Sequence, residues 1–402
     1  MKYQTESLPN GLRIIQLPSP SPVVYCGYQV AAGTRHELSG EEGLAHFCEH
    51  MTFKGTHRRT ALQVINALEG VGGELNAFTN KESTTFYAAV LKDHFLEAVD
   101  VLTDIVFHSE YPQAEIESYN DTPAELIYDE FENIIFNGHP LGHNILGEAE
   151  QLKTYTTDDA LRFVRRCYRP ENCVFFVYGD VKMRDVVKMI EKSGGDIFFG
   201  REEPVTTSPN TYPPTPIPQF PAPIYRSMGT HQAHVMIGTR TFSIHDERRM
   251  PLYLLNNLLG GPGMNARLNL SLRERHGLVY TVESNMTSYS DTGVWSVYFG
   301  CDSHDVKRCC RLVRHELDRL IQKPLSPLQL RRAQRQLKGQ LAIACDNREQ
   351  FALDFSKSFL HYGWEKDLDQ LMVRIDAVTA EQIQQVASQL MAPEQLTTLV
   401  YQ

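Results

Sequence analysis

This chain of 402 residues lacks a long apolar run and a paired-cysteine pattern. No stretch approaches the roughly 18 apolar residues that a membrane-crossing helix needs. Its opening residues, Met1-Lys2-Tyr3-Gln4-Thr5-Glu6, contain no apolar core of a secretory signal. These absences predict a cytoplasmic protein that works away from membranes. Eight cysteines are present, but none forms C-x-x-C, and in so long a chain they do not read as a disulfide framework. They are expected to be reduced and packed. A strong charge of one sign is absent too. The net charge of −10 argues against a nucleic-acid binder and is compatible with a cavity that favours cationic peptides. What is present is a 42 % hydrophobic composition, enough to bury the cores of two or three domains.

One stretch carries chemistry. His46, Phe47, Cys48, Glu49 and His50 read H-x-x-E-H. On a helix, residues four apart share a face, so both histidines can aim a ring nitrogen at one ion. Two neutral imidazoles and a carboxylate make a common zinc triad that leaves a fourth position for water. Glu49 sits one residue from His50 and three from His46, where it can take a proton from that water. Chance yields this pattern in a chain of this length and histidine content only about 4 % of the time. Gly43, Leu44, Ala45, Phe47 and Met51 place small and apolar side chains around the motif, which predicts a buried helix. An unpartnered polar group there costs about 1–3 kcal/mol, and one zinc ion satisfies all three. Cys48 lies within the motif, but its helical position points it away from the histidines.

The chain divides near its middle. EEPVTTSPNTYPPTPIPQFPAP, from Glu202 to Pro223, contains eight prolines, which rules out regular helix or a central strand. The expected organisation is a metal-bearing domain over 1–200, a linker over 201–222 and a related domain over 223–402. Thr156 and Thr379 each open a helix with capping spacing, to Asp159 and Gln382. The offset of 379 − 156 = 223 recurs between Pro170 and Pro393, as duplication requires. Strands are predicted over Val23–Val30 and Thr84–Leu91, and a helix over Leu96–Phe107. The second half has no H-x-x-E-H, and its PLYLLNNLLGG reads as the counterpart of ALQVINALEGVGG. The predicted class is α+β, two similar domains, each a mostly antiparallel sheet packed with helices.

These motifs together resemble the inverted-motif zinc peptidases, the family of pitrilysin, insulin-degrading enzyme and the mitochondrial processing peptidase. The resemblance runs over nearly the whole chain and is closest to the family's short, two-domain branch. It implies Zn2+ at His46 and His50, with Glu49 as general base. It also gives roles to the segment Gly72-Gly73-Glu74-Leu75-Asn76-Ala77-Phe78-Thr79. A similar family segment pairs as an edge strand with the substrate backbone, so Asn76 is a substrate-binding side chain and Ala77 a backbone contact. In the second half, Arg273 and Tyr280 match a pair that reaches the metal site, where a cation and a phenol suit a developing oxyanion.

The third ligand departs from the pattern. The family's spacing falls on Ile127, which cannot bind zinc. Glu115, twelve residues earlier, heads a segment similar to the family's ligand helix, yet His108 stands where an upstream glutamate is expected. About three helical turns are missing. A gap before Glu115 leaves it as the ligand, and a gap between Glu117 and Tyr119 removes the ligand. Glu125 and Glu130 are fallbacks by spacing, while His139 and His143 read as loop residues. The implied function is a zinc metalloendopeptidase acting on extended or unfolded peptides, in a homodimer or a heterodimer with a related chain. Its rival is a catalytically silent family member serving as a partner subunit.

Overall fold

The computed structural model describes residues 2–117, 126–194, 222–229 and 232–402. Residues 202–221 of the proline-rich seam lie outside them, as does Glu125. The described parts form two compact units, and these are not the two halves of the sequence. The first draws on Met1–Ala124, His143–Thr207 and Ala344–Asp367, and the second on Glu125–Gly142, Ser208–Ile343 and Leu368–Gln402.

In the first unit, six strands form one sheet: β1 (Gln4–Ser7), β2 (Arg13–Pro18), β3 (Val23–Val30), β4 (Glu74–Thr79), β5 (Thr84–Leu91) and β6 (Cys173–Gly179). Their order is β1-β2-β6-β3-β5-β4, and only β2 and β6 run parallel. The predicted strands Val23–Val30 and Thr84–Leu91 form with those bounds. Central strands are apolar on both sides, as a sheet covered on both faces requires. Ile14, Phe175 and Val177 enter a core built with α1 (Leu44–Met51), α2 (Ala61–Glu69) and α3 (Phe95–His108). Their alternating neighbours Ile15, Val174 and Phe176 face the other way, onto Phe351, Phe355 and Leu360 of helix Arg348–Tyr362.

The second unit repeats this plan with β7 (Ile224–Arg226), β8 (Ala233–Thr241), β9 (Val279–Ser288), β10 (Gly293–Cys301) and β11 (Thr397–Tyr401). The order is β7-β11-β8-β10-β9, and only β7 and β11 are parallel. One face packs on helices Arg249–Gly260, Val306–Gln322 and Ala380–Leu390. Met236, Leu399 and Tyr401 on the other face meet Ile127, Phe131 and Ile135 of helix Leu126–Ile135. Ile127, where the family's spacing would put a ligand, is thus a core residue of the second unit. The α+β class and the two similar, mostly antiparallel units agree with expectation.

One detail of the repeat differs. Helix Arg249–Gly260 packs on β9 and helix Ala380–Leu390, just as α1 packs on β4 and helix Thr157–Cys167. It therefore occupies the place of the metal helix α1 rather than that of α2. The sequence misleads here because α2 and this helix share an apolar run ending in glycines, while packing depends on which strand the helix crosses.

Candidate metal centre

The short helix α1 is held by what surrounds it. Leu44, Ala45, Phe47, Cys48 and Met51 are fully or almost fully buried, so three sides of the helix are core. Gly43 starts it at φ +90°, a left-handed conformation, and a Cβ there would lie 2.6 Å from Gly147 Cα. The N-terminal amides of Gly43 and Ala45 donate to the Glu37 carboxylate at 3.0 and 2.7 Å. That carboxylate also lies 2.8 Å from His143 Nε2. Burial pushes the Glu37 carboxyl up, while His143 and the two amides pull it back. A carboxylate at a helix N-terminus is favoured by the orphan amides and the helix dipole. At the other end the Thr52 hydroxyl donates to Cys48 O at 2.7 Å.

This framework turns His46, Glu49 and His50 to the remaining side. The Nε2 atoms of His46 and His50 are 3.1 Å apart. With Glu49, each offers a ligand atom within 4.8 Å of the others. His46 is half-buried, His50 exposed and Glu49 buried, so the cluster opens outward at one end. Two imidazole nitrogens on one tetrahedral zinc at about 2.0–2.1 Å would stand about 3.3–3.4 Å apart. The observed pair fits that requirement. Thr79 on β4 donates its hydroxyl to Glu49 Oε2 at 3.2 Å, which orients the carboxylate.

The other predicted site residues are distributed as follows. Asn76 is exposed and Ala77 half-buried on β4, the last strand of its sheet, which among the described residues pairs with β5 alone. The Glu115 carboxylate pairs with Lys54 Nζ at 3.0 Å, and among the described residues it does not join the close cluster of His46, Glu49 and His50. Glu130 belongs to the second unit, where it accepts from Arg226 Nε at 2.7 Å. Arg273 and Tyr280, both exposed, also belong to the second unit. Arg273 lies in a wide turn, Asn269–Glu274, marked by an Arg275 N–H bond to Leu270 O at 3.1 Å. Such π-type turns occur often at functional sites. The turn closes on Gly277 at φ +62°, and Tyr280 follows as the second residue of β9. His139 lies 3.3 Å from Asp291, and Cys48 is buried toward Ala160 with its thiol pushed well up by burial. Among the described residues all eight cysteines are free.

Sequence reading missed Glu37, Thr79 and the role of His143. Thr79 was within reach, because it shares an inward strand face with Ala77. Glu37 caps across a loop and leaves no periodic signal.

Comparison with known proteins places nearly the whole chain among relatives. Residues 13–149 match the sequence model described as insulinase (peptidase family M16), and residues 154–337 match the peptidase M16 inactive domain. An uncharacterized zinc protease of Bacillus subtilis is 30 % identical over 97 % of this chain and 96 % of its own length. Another, of Streptomyces coelicolor, is 32 % identical over 95 % of this chain and 85 % of its own. A protease from Helicobacter pylori shares the fold at TM-score 0.89 and 19 % identity, covering 100 % of this chain and 99 % of that one. No helix among the described residues is long and apolar enough to cross a membrane. By its family-model matches and its relatives, the chain belongs to the M16 peptidase family.

Proposed function

We propose that this protein is a zinc-dependent endopeptidase that hydrolyses extended peptides. The observation that carries the reading is the convergence of His46 Nε2, His50 Nε2 and the Glu49 carboxylate on one side of a helix packed against an edge strand. His46 and His50 would hold the ion, which supplies Lewis-acid polarisation of a carbonyl and makes water acidic enough to deprotonate near neutrality. Glu49, oriented by Thr79, takes the proton of the attacking water and returns it to the leaving amine. β4 offers its outer edge to an extended backbone, and Asn76 stands beside the bound strand. Arg273 and Tyr280 stabilise the carbonyl oxygen as it gains charge. The working form is a dimer with a second copy or a related chain.

A second reading, a silent partner subunit, is favoured by one observation: Glu115, the expected third ligand, is paired with Lys54 instead. Zinc sites normally use three protein ligands. Zinc content and cleavage of an internally quenched peptide separate the two. One zinc per chain with hydrolysis, both lost in His50→Ala, supports the peptidase. A folded chain that retains no zinc and cleaves nothing supports the silent subunit.

A further inference from the structure

The second unit contains a cavity of about 180 Å³ beside helix Arg249–Gly260, the helix that stands where the first unit has α1. Its polar lining consists of Asn257, Asn265, Arg267, Gln329, Arg332 and Gln336, with no carboxylate among the described residues. Asn265 and Gln336 satisfy each other through paired amide bonds at 2.9 and 3.0 Å. Gln329 Oε1 is used by the Ser326 N–H at 2.9 Å. That leaves the two guanidiniums and Asn257. Among the described residues, neither Arg267 nor Arg332 has a carboxylate within 4 Å or a side-chain hydrogen bond. Glu316 acts on Arg267 only at a distance, because its carboxylate is held by Arg319 at 3.1 Å. Burial pulls the half-buried Arg267 guanidinium below its ordinary value, as expected of a cation removed from water without a close counter-ion. Asn257 is only 8 % exposed, lines the cavity, and makes no side-chain hydrogen bond among the described residues. Its amide is not sealed from water, so it faces the open cavity beside the two guanidiniums with its donor available to a bound group.

We propose that this cavity binds a small phosphate-type dianion, free or esterified to a compact polar group. Two guanidiniums give planar, charge-assisted donors suited to tetrahedral oxyanions, and the Asn257 amide supplies a neutral donor from the wall. The volume of about 180 Å³ suits a phosphate group or the phosphate end of a compact ester. The inference does not rest on the peptidase reading, since none of these residues belongs to the metal cluster.

The test uses the full chain with inorganic phosphate and glycerol 3-phosphate as separate probes, read by calorimetry and by 31P line broadening at constant ionic strength. Expected is saturable binding of at least one probe, weakened about tenfold or more in Arg332→Gln and in Asn257→Ala. Arg332 is exposed, so its variant is expected to fold. Arg335→Gln, at an exposed arginine outside the cavity on helix Pro327–Ala344, which also carries Arg332, should bind like the parent. Tighter binding of glycerol 3-phosphate identifies an ester site, and equal or tighter binding of phosphate a free-anion site. No binding up to roughly 10 mM, an unchanged Arg332→Gln, or an equal loss in Arg335→Gln overturns the proposal.

Discussion

The two units are built to one plan, and they differ in what the equivalent helix does with its polar side chains. In the second unit, helix Arg249–Gly260 turns Asn256 inward, where its Oδ1 accepts from Ser284 Oγ at 2.6 Å and Trp295 Nε1 at 3.1 Å. Those donors make Asn256 part of the core. In the first unit, α1 turns His46 and His50 toward solvent with their Nε2 atoms converging, and buries only Glu49 of the three. A duplicated scaffold thus carries a packed polar side chain on this helix in one copy and a cluster of metal-ligand side chains in the other. The lesson is that a few side-chain identities, rather than topology, separate them.

The strongest way to break that contrast is at the base. Glu49→Gln should lower peptide turnover by about 10³-fold with zinc content unchanged, because an amide cannot accept the water's proton. Normal turnover would show that α1 does not hold the chemistry. The second unit's own contribution is tested next. Arg273→Ala or Tyr280→Phe should cost about 10²-fold in kcat with metal content unaffected, the loss of one oxyanion donor. Unaltered kinetics in both would confine the active site to the first unit.

A third test concerns stability on the acid side, which belongs to the first unit. His36 and His361 are both pulled down to about 4, chiefly by burial. His36 is also near Arg35 and Arg166, with Glu82 opposing, and Gly33 N–H donates to its Nδ1 at 3.1 Å. Both rings are neutral in the fold, whereas the unfolded chain takes up protons near the ordinary value of 6.5. Stability is therefore complete above pH 6.5 and is lost as pH falls toward 4, by about 1.4 kcal/mol per pH unit for each ring. Urea titrations across that window should show the slope, and His36→Gln should remove about half of it. A flat profile would mean that these rings are hydrated. The smallest effect is expected at Asn256→Ala, which strips an acceptor from Trp295 and Ser284 and should cost about 1–2 kcal/mol in chemical denaturation without changing zinc content. A cost near zero would remove the packed half of the comparison.

Much of this was legible in local pattern. The H-x-x-E-H spacing puts both histidines on one helical face, because i and i+4 coincide on any α-helix. The capping pairs at Thr156 and Thr379 form as expected, since each box is closed within four residues. β3 and β5 match their predicted bounds because short apolar runs flanked by breakers leave little choice.

Only the tertiary structure decided which parts of the chain complete which core. Helix Leu126–Ile135 covers a face of the second unit's sheet, and helix Arg348–Tyr362 covers the equivalent face of the first. The repeat offset makes them counterparts, since 126 + 223 = 349 falls in the latter. A sequence shows that such a helix needs an apolar partner but not which of two similar sheets supplies it. The third ligand is the same kind of question. Between α3 and helix Leu126–Ile135 the chain has 126 − 108 − 1 = 17 residues, against 348 − 322 − 1 = 25 between their counterparts by the repeat, helices Val306–Gln322 and Arg348–Tyr362. Local spacing carries the two histidines on one helix, whereas a carboxylate from another element arrives only if the connecting chain is long enough to bring it. In this fold Glu115 meets Lys54.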